Sequence, residues 1–249
     1  MPPLSPQTIA QYLLMLFLVV VGPVWDYFDT KSLKANPSSA ARLSYYRRTI
    51  LWLLTASAIA LWTTGWTGLF TLRGLGIRAV WLETHRWTWW TLGVMVLLFV
   101  LVQLVLPVAQ VKLKYGSRTY LEPRQFESLR FFLPSTGAER RWFAGLSVTA
   151  GFCEELLFRG FVLRELIALP LHMGLAGPAI LAALIFGSHH VYLGRAGVVS
   201  TTVGGLVFTA TLLVTGNLIA GMILHALMDL SLLLYWRPKT LHGAETPTI

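Results

Sequence analysis

Long apolar runs divide this chain, and each is close to the length that a helix needs to cross a lipid bilayer. A helix rises about 1.5 Å per residue, so roughly 20 apolar residues cover a hydrocarbon core of about 30 Å. The pattern therefore predicts an all-α fold, a polytopic transmembrane helix bundle with about seven membrane helices. The predicted spans are 9–27, 49–70, 89–109, 142–166, 175–193, 197–215 and 218–236.

Composition and charge agree with a membrane protein. Of the 249 residues 55% are hydrophobic and 12% are charged. If the amino end lies outside and the carboxyl end inside, fifteen loop and tail cations face the cytoplasm and three face outward, which is the usual bias. The net charge of +9 is spread over these loops, where it meets anionic lipid, so it does not indicate nucleic-acid binding. We expect a multi-pass protein of a prokaryotic plasma membrane.

The chain divides into two halves that differ in buried charge. A basic connector over 110–141 separates them, and the turn signal Asn36-Pro37 marks a break within the first half. Residues 1–140 are predicted to be an anchoring half without buried charge, and 141–249 a catalytic half. Tryptophans cluster over 81–90 and predict an aromatic belt at the membrane interface.

Ionisable residues interrupt the fourth run. Such groups are costly at membrane depth and by default indicate a functional site. Glu155 and Arg159 are four apart, so they share a helical face and can pair, whereas Glu154 is rotated by about 100°. One carboxylate is then neutralised and the other is free, although a purely structural ion pair is an equal alternative.

Histidines occupy the same kind of position on two further predicted helices. His190 follows Phe186 by one turn and Asp229 follows His225 by one turn, while His189 points about 100° away from His190. Such a histidine can share a proton, bind a metal or orient water, or simply pack in the core. Three clusters on three helices need partners in a bilayer without water, so we expect one shared cavity in the carboxyl-terminal half.

Three ordered motifs carry a family resemblance. The strings Glu154-Glu155-x3-Arg159, Phe186-x3-His190 and His225-x3-Asp229 resemble the motifs of the CAAX protease and bacteriocin-processing family, also called the Rce1-like or Abi family. The resemblance spans roughly residues 141–236. Each motif alone is weak, but the ordered set in a polytopic protein is specific.

The resemblance implies an intramembrane endopeptidase of the glutamic type, without a cofactor, acting on a membrane-associated protein or peptide. Glu154 would be the general base for a water that His190 shares, and His225 and Asp229 would support the oxyanion. Supporting positions would be Glu155, Arg159, Phe186 and His189. The family's better-known residue at the third motif is Asn, so Asp229 would need a proton or would orient His225.

Other readings of the same residues remain open. Zinc hydrolysis would use Glu154, His190 and His225 as ligands, since two histidines and a carboxylate are a known catalytic set. Cys153 beside Glu154 could act as a nucleophile, although a lone cysteine in an apolar run is usually a packing residue. The non-enzymatic alternatives are an ion or proton transporter and a family-derived scaffold or immunity protein.

Overall fold

The protein is helical throughout the part that a computed structural model describes, which is residues 4–65, 67–71, 73–75, 129–170 and 174–236 with isolated positions between 90 and 101. The chain begins with α1 (Pro6–Leu16), a π-helical turn (Phe17–Val21) and α2 (Gly22–Ala35), which run on as one helix of 30 residues. Next come α3 (Ser39–Thr64) and the short α4 (Thr67–Phe70).

The carboxyl-terminal part forms a second set of helices. Its first helix is α5 (Gly137–Glu154), which continues through a π-helical segment (Glu155–Val162) into α6 (Leu163–Ala168). The chain then forms α7 (Ala176–Ser188), a 3₁₀ turn (Val191–Leu193), α8 (Gly194–Thr215) and α9 (Ile219–Tyr235).

Local chemistry explains where these helices begin and end. The predicted turn at Asn36-Pro37 separates α2 from α3, and the Ser38 hydroxyl accepts from the Ala41 N–H to cap α3. Thr136 caps α5 in the same way through the Glu139 N–H. Gly216 ends α8 with a φ of 77°, a left-handed conformation that glycine adopts without strain.

Two helices in the described part are long and apolar enough to cross a membrane, Pro6–Ala35 and Val191–Thr215. Along the first, large apolar side chains such as Tyr12, Trp25 and Phe28 are exposed, an arrangement suited to contact with lipid. The apolar helices Ala176–Ser188 and Ile219–Leu234 are shorter. The predicted span 89–109 and the tryptophan cluster at 81–90 lie almost entirely outside the described residues.

Glycines let the helices of the carboxyl-terminal part approach closely. A Cβ on Gly151 of α5 would lie 2.5 Å from the backbone nitrogen of Ala226 on α9. A Cβ on Gly205 of α8 would lie 3.1 Å from the Ala183 Cβ on α7. Small residues at such contacts bring whole backbones together, which favours helix association in lipid. These contacts bring α5, α7, α8 and α9 together around the polar residues of the three motifs.

The prediction of an amino-terminal half without buried charge is wrong. Arg42 on α3 is buried and its Nε lies 2.8 Å from Oε2 of Glu139, whose side chain is fully buried. The same carboxylate accepts from the Ser135 N–H at 2.6 Å. The prediction of membrane orientation counts every arginine and lysine in a loop equally. It therefore did not distinguish the buried Arg42 from the solvated cations near it.

Candidate active site

The two adjacent glutamates lie where the helix changes its hydrogen-bonding pattern. Glu154 is the last residue of α5, and Glu155 is the first residue of the π-helical segment. Segments of π-helix are rare and are frequently found at functional sites. Every residue of this segment is buried, including Glu155 and Arg159.

Glu155 is held from two directions. Its Oε1 lies 3.0 Å from Nη1 of Arg159, so the ion pair expected from the spacing forms, and the side chains are 1% and 2% exposed. The same oxygen lies 2.9 Å from Nδ1 of His225 on α9. A carboxylate only accepts hydrogen bonds, so Nδ1 of His225 donates. His225 is therefore oriented by Glu155, and the suggestion that Asp229 orients it is not needed.

Glu154 has a different environment. Among the described residues its nearest ionisable partner is His225, whose Nε2 lies 3.8 Å from Oε2, beyond hydrogen-bonding distance. The Glu154 side chain is 17% exposed and borders a cavity of ≈ 250 Å³. His190, His225 and Asp229 border the same cavity. The structure thus brings together the four side chains that the sequence nominated from three separate helices.

The consecutive histidines His189 and His190 both border this cavity, but their ring nitrogens differ in availability. Nδ1 of His190 lies 3.0 Å from the carbonyl of Phe186, which can only accept, so Nδ1 carries the hydrogen and Nε2 keeps its lone pair. Nδ1 of His189 faces Oδ2 of Asp26 at 2.6 Å, and Nε2 faces the Leu18 carbonyl at 2.8 Å. Both nitrogens of His189 face acceptors, whereas no described residue bonds to Nε2 of His190, so His190 is the one with a nitrogen available to a ligand.

Aromatic rings contact the buried guanidinium of Arg159 and the rings of His190 and His225. The Phe186 ring lies 4.2 Å from Cζ of Arg159 and 4.8 Å from the His190 ring. Phe208 on α8 stacks on the His225 ring at 4.8 Å and lies 5.2 Å from Cζ of Arg159. Such contacts stabilise a buried cation. Phe208 was not predicted as a site residue, because an aromatic residue in an apolar run carries no distinguishing pattern.

The structure also brings residues of the amino-terminal half to the cavity. Asp26 on α2 and Tyr45, Thr49 and Trp52 on α3 are part of its wall. None of them was predicted to be a site residue. The available signal was the string Gly22-Pro23-x2-Asp26 at the end of the first apolar run, where an acidic residue follows two helix-breaking residues.

Two alternative assignments can be compared with this geometry. Among the described residues, no three His, Cys, Asp or Glu side chains stand close enough together to hold a metal ion. In His190 and His225, Nδ1 is already engaged and only Nε2 could act as a zinc ligand. Cys153 is buried in the apolar core and is not part of the cavity wall, as expected for a packing residue.

A comparison with protein families agrees with the motif pattern. Residues 137–231 match the family model described as type II CAAX prenyl endopeptidase Rce1-like. The matched segment contains all three motifs, and it confirms the resemblance. No curated protein and no solved structure shows a significant match to the chain. Over residues 137–231 this integral membrane protein is therefore similar to the Rce1-like family of type II CAAX prenyl endopeptidases.

Proposed function

We propose that the protein is a glutamate-dependent intramembrane endopeptidase that hydrolyses a peptide bond of a membrane-associated protein or peptide. The observation that carries this proposal is the convergence of Glu154, His190, His225 and Asp229 on one cavity within the family-matching domain. A second carboxylate, Glu155, is fixed behind the cavity wall. The two neighbouring glutamates thus have separate tasks.

The first chemical step uses the free carboxylate. Glu154 accepts a proton from a water molecule while the water oxygen forms a bond to the carbonyl carbon of the substrate, and the carbonyl π electrons move to its oxygen. Nε2 of His190, which has a free lone pair, accepts a hydrogen bond from the same water and orients it. A carboxylate without other hydrogen bonds is suited to general-base catalysis, because nothing competes for its lone pairs.

The second step breaks the peptide bond. The tetrahedral intermediate carries a negative oxygen, and donors at the cavity wall stabilise it. Nδ1 of His225 donates to Glu155, so Nε2 donates to this oxygen when the ring is protonated on both nitrogens, and Asp229 donates when it carries a proton. When the C–N bond breaks, its electron pair goes to nitrogen, and the proton held by Glu154 is transferred to that nitrogen. Both products leave, and Glu154 is again a carboxylate.

Arg159 keeps Glu155 in place and has no direct task in the reaction. Its guanidinium lies between the rings of Phe186 and Phe208 and pairs with Glu155. An arginine fixed in this way holds the Glu155 carboxylate and, through it, the His225 ring. The chain Arg159, Glu155 and His225 is therefore a support for the donor that faces the cavity.

The membrane arrangement that accompanies this function is a bundle of about seven spans, with the amino end outside and the carboxyl end cytoplasmic. The apolar helices and the distribution of basic residues support it. We place the protein in a prokaryotic plasma membrane, with residues 1–140 as the anchoring half and 141–249 as the catalytic half. No cofactor takes part, and a zinc-dependent reaction is the alternative mechanism.

A comparison of membrane-protein termini tests this function in cells. Cells carry either the wild-type protein or Glu154→Gln at the same level in the membrane, and new amino and carboxyl termini are identified by mass spectrometry. We expect at least one terminus that depends on Glu154, and activity of the purified protein that survives chelation. Identical termini in both strains would remove the protease assignment and favour a transporter or scaffold, whereas loss of activity on chelation would favour zinc.

A further inference from the structure

Residues of the first long helix and of α3 hold His189 from outside the segment that matches the family. The Asp26 carboxylate lies 2.6 Å from Nδ1 of His189, and the Leu18 carbonyl lies 2.8 Å from Nε2. The Trp52 ring on α3 stacks on the imidazole with 18° between the planes. We call Leu18, Gly22, Pro23, Asp26 and Trp52 the histidine clamp.

The backbone of the first helix explains why the Leu18 carbonyl can accept from a side chain. In a regular α-helix it would accept from the Gly22 N–H, four residues on. Gly22 instead donates to the carbonyl of Phe17, which is the π-helical pattern. A π-helical partner for Leu18 would be residue 23, which is proline and has no N–H. The Leu18 carbonyl thus lacks both of these helical donors and accepts from His189.

Gly22 supplies the space for this contact. A Cβ at this position would overlap the His189 ring at Cε1. Asp26 lies one turn after Gly22, so its carboxylate is on the same face of α2 and reaches the other ring nitrogen. The string Gly22-Pro23-x2-Asp26 therefore provides the space, the free carbonyl and the carboxylate.

The histidine clamp holds His189, the residue before His190. His189 and His190 are consecutive and follow the last residue of α7, so one peptide unit joins a fully engaged ring to the ring that faces the cavity. His190 is also held by its bond to the Phe186 carbonyl, by its backbone N–H, which donates to the Gly187 carbonyl, and by ring contacts with Phe186 and Tyr192. Fixing His189 limits the backbone rotation that would carry His190 away from the cavity.

We propose that Asp26 is a positioning residue of the active site: by holding His189 it fixes the end of α7 and so places His190 against the cavity. The inference rests on the proposed function, because its kinetic test requires cleavage. It assigns to the amino-terminal half a direct part in shaping the site. A misplacement of a catalytic group by about 1 Å can lower a rate by about 100-fold.

The kinetic test compares Asp26→Leu with two variants in the purified full-length protein. The substrates are a quenched fluorogenic peptide with a farnesylated carboxyl-terminal cysteine motif and the same peptide without the lipid. Asp26→Asn can still bond to His189 and is the conservative variant. Asp29→Leu is the matched control, since Asp29 is on the same helix and pairs with Arg48 of α3 at 2.6 Å without being part of the cavity wall.

We expect Asp26→Leu to lower kcat about 10- to 100-fold with KM within about twofold, and Asp26→Asn and Asp29→Leu to stay within about threefold of the wild type. Wild-type kcat in Asp26→Leu would overturn the inference. Equal losses in Asp26→Leu and Asp29→Leu would also overturn it, because they would indicate loss of helix packing alone. If Asp26→Leu does not fold, Asp26→Glu replaces it, since one added methylene displaces the carboxylate and keeps the charge; unchanged kcat there would contradict the proposal.

A second measurement separates this inference from the proposed function. The imidazole ¹⁵N signals of His190, assigned with His190→Gln, are recorded for the wild type, Asp26→Leu and Asp29→Leu. We expect them to change in Asp26→Leu and not in Asp29→Leu, whether or not a substrate is cleaved. Unchanged His190 signals in Asp26→Leu would reject the positioning role even in an active protease, and changed signals in an inactive protein would reject only the protease assignment.

Discussion

His225 donates from Nδ1 to Oε1 of Glu155 across 2.9 Å, although 70 positions separate the two residues in the sequence. The bond joins α9 to the π-helical segment that follows α5, and Nη1 of Arg159 lies 3.0 Å from the same carboxylate oxygen. One of two adjacent glutamates is thereby fixed in the core, and the other is left at the cavity.

The two glutamates should differ in their effect on stability. Glu155→Gln leaves the buried guanidinium of Arg159 without its counter-charge, so we expect a loss of about 3–5 kcal/mol in the free energy of unfolding. Glu154→Gln should change it by no more than about 0.5 kcal/mol, because the Glu154 carboxylate makes no hydrogen bond to the described residues. Denaturant unfolding in detergent measures both values. Equal losses would contradict the division of tasks.

His189 and His190 should also differ, one in its effect on stability and the other in its effect on kcat. His190→Gln removes the available ring nitrogen, and we expect kcat to fall by about 10²- to 10⁴-fold with little change in stability. His189→Leu leaves the acceptors on Leu18 and Asp26 without their donor, and each such loss costs about 1–3 kcal/mol of stability. Kinetics and thermal unfolding of both variants check this. A His190→Gln enzyme with wild-type kcat would remove His190 from the mechanism.

The contact between α5 and α9 should tolerate almost no added volume. Gly151→Ala places a Cβ 2.5 Å from the Ala226 nitrogen, next to His225, so we expect a loss of about 1–3 kcal/mol and a lower kcat. Gly145→Ala is the control on the same helix, since its nearest neighbour would be 3.9 Å away. It should be neutral or slightly stabilising. Equal effects of the two substitutions would show that the close approach is unimportant.

Acid should weaken the buried pair of Arg42 and Glu139, which precedes the apolar run that begins at residue 142. Burial raises the pKa of Glu139, but hydrogen bonds from Arg42 and from the Ser135 N–H outweigh it, so its pKa lies below the ordinary value. A carboxyl group with a lowered folded-state pKa contributes stability above its unfolded-state pKa, and the contribution is lost as pH falls through the folded-state pKa.

The measurement for this pair is unfolding free energy as a function of pH. We expect the acid-dependent loss of stability to be smaller in Glu139→Gln than in the wild type, and the variant to be less stable near neutral pH. Asp29→Asn, which disrupts the more exposed pair with Arg48, should cost only about 0.2–1 kcal/mol. An identical acid profile in the wild type and Glu139→Gln would contradict the assignment.

The motif residues could be predicted because their information is local. Spacing of four places Glu155 with Arg159 and Phe186 with His190 on shared helical faces, and ionisable groups stand out against an apolar background. The turn at Asn36-Pro37 was equally visible, since proline ends the helical pattern. In these cases residues that are close together in the sequence determine the local structure.

The clamp and the buried Arg42 could not be predicted in the same way. Asp26 and His189 are 163 positions apart, and nothing in the spacing of either indicates the other. The π-helical pattern at Leu18 depends on the missing N–H of Pro23 together with a partner from another helix. Arg42 was counted with the loop cations, and only the packing of α3 against α5 distinguishes it. Tertiary contacts, rather than propensities, decided these positions.

The role of Glu154 as the general base is tested by the hydrolysis rates of purified wild-type protein and Glu154→Gln, with Glu165→Gln as a control for the loss of a carboxylate elsewhere. Glu165 lies on α6 and is not part of the cavity wall. The fluorogenic peptides with and without a farnesyl group serve as substrates. We expect kcat to fall by about 10²- to 10⁴-fold in Glu154→Gln and to stay at the wild-type value in Glu165→Gln. Cleavage by folded Glu154→Gln at the wild-type rate would contradict it.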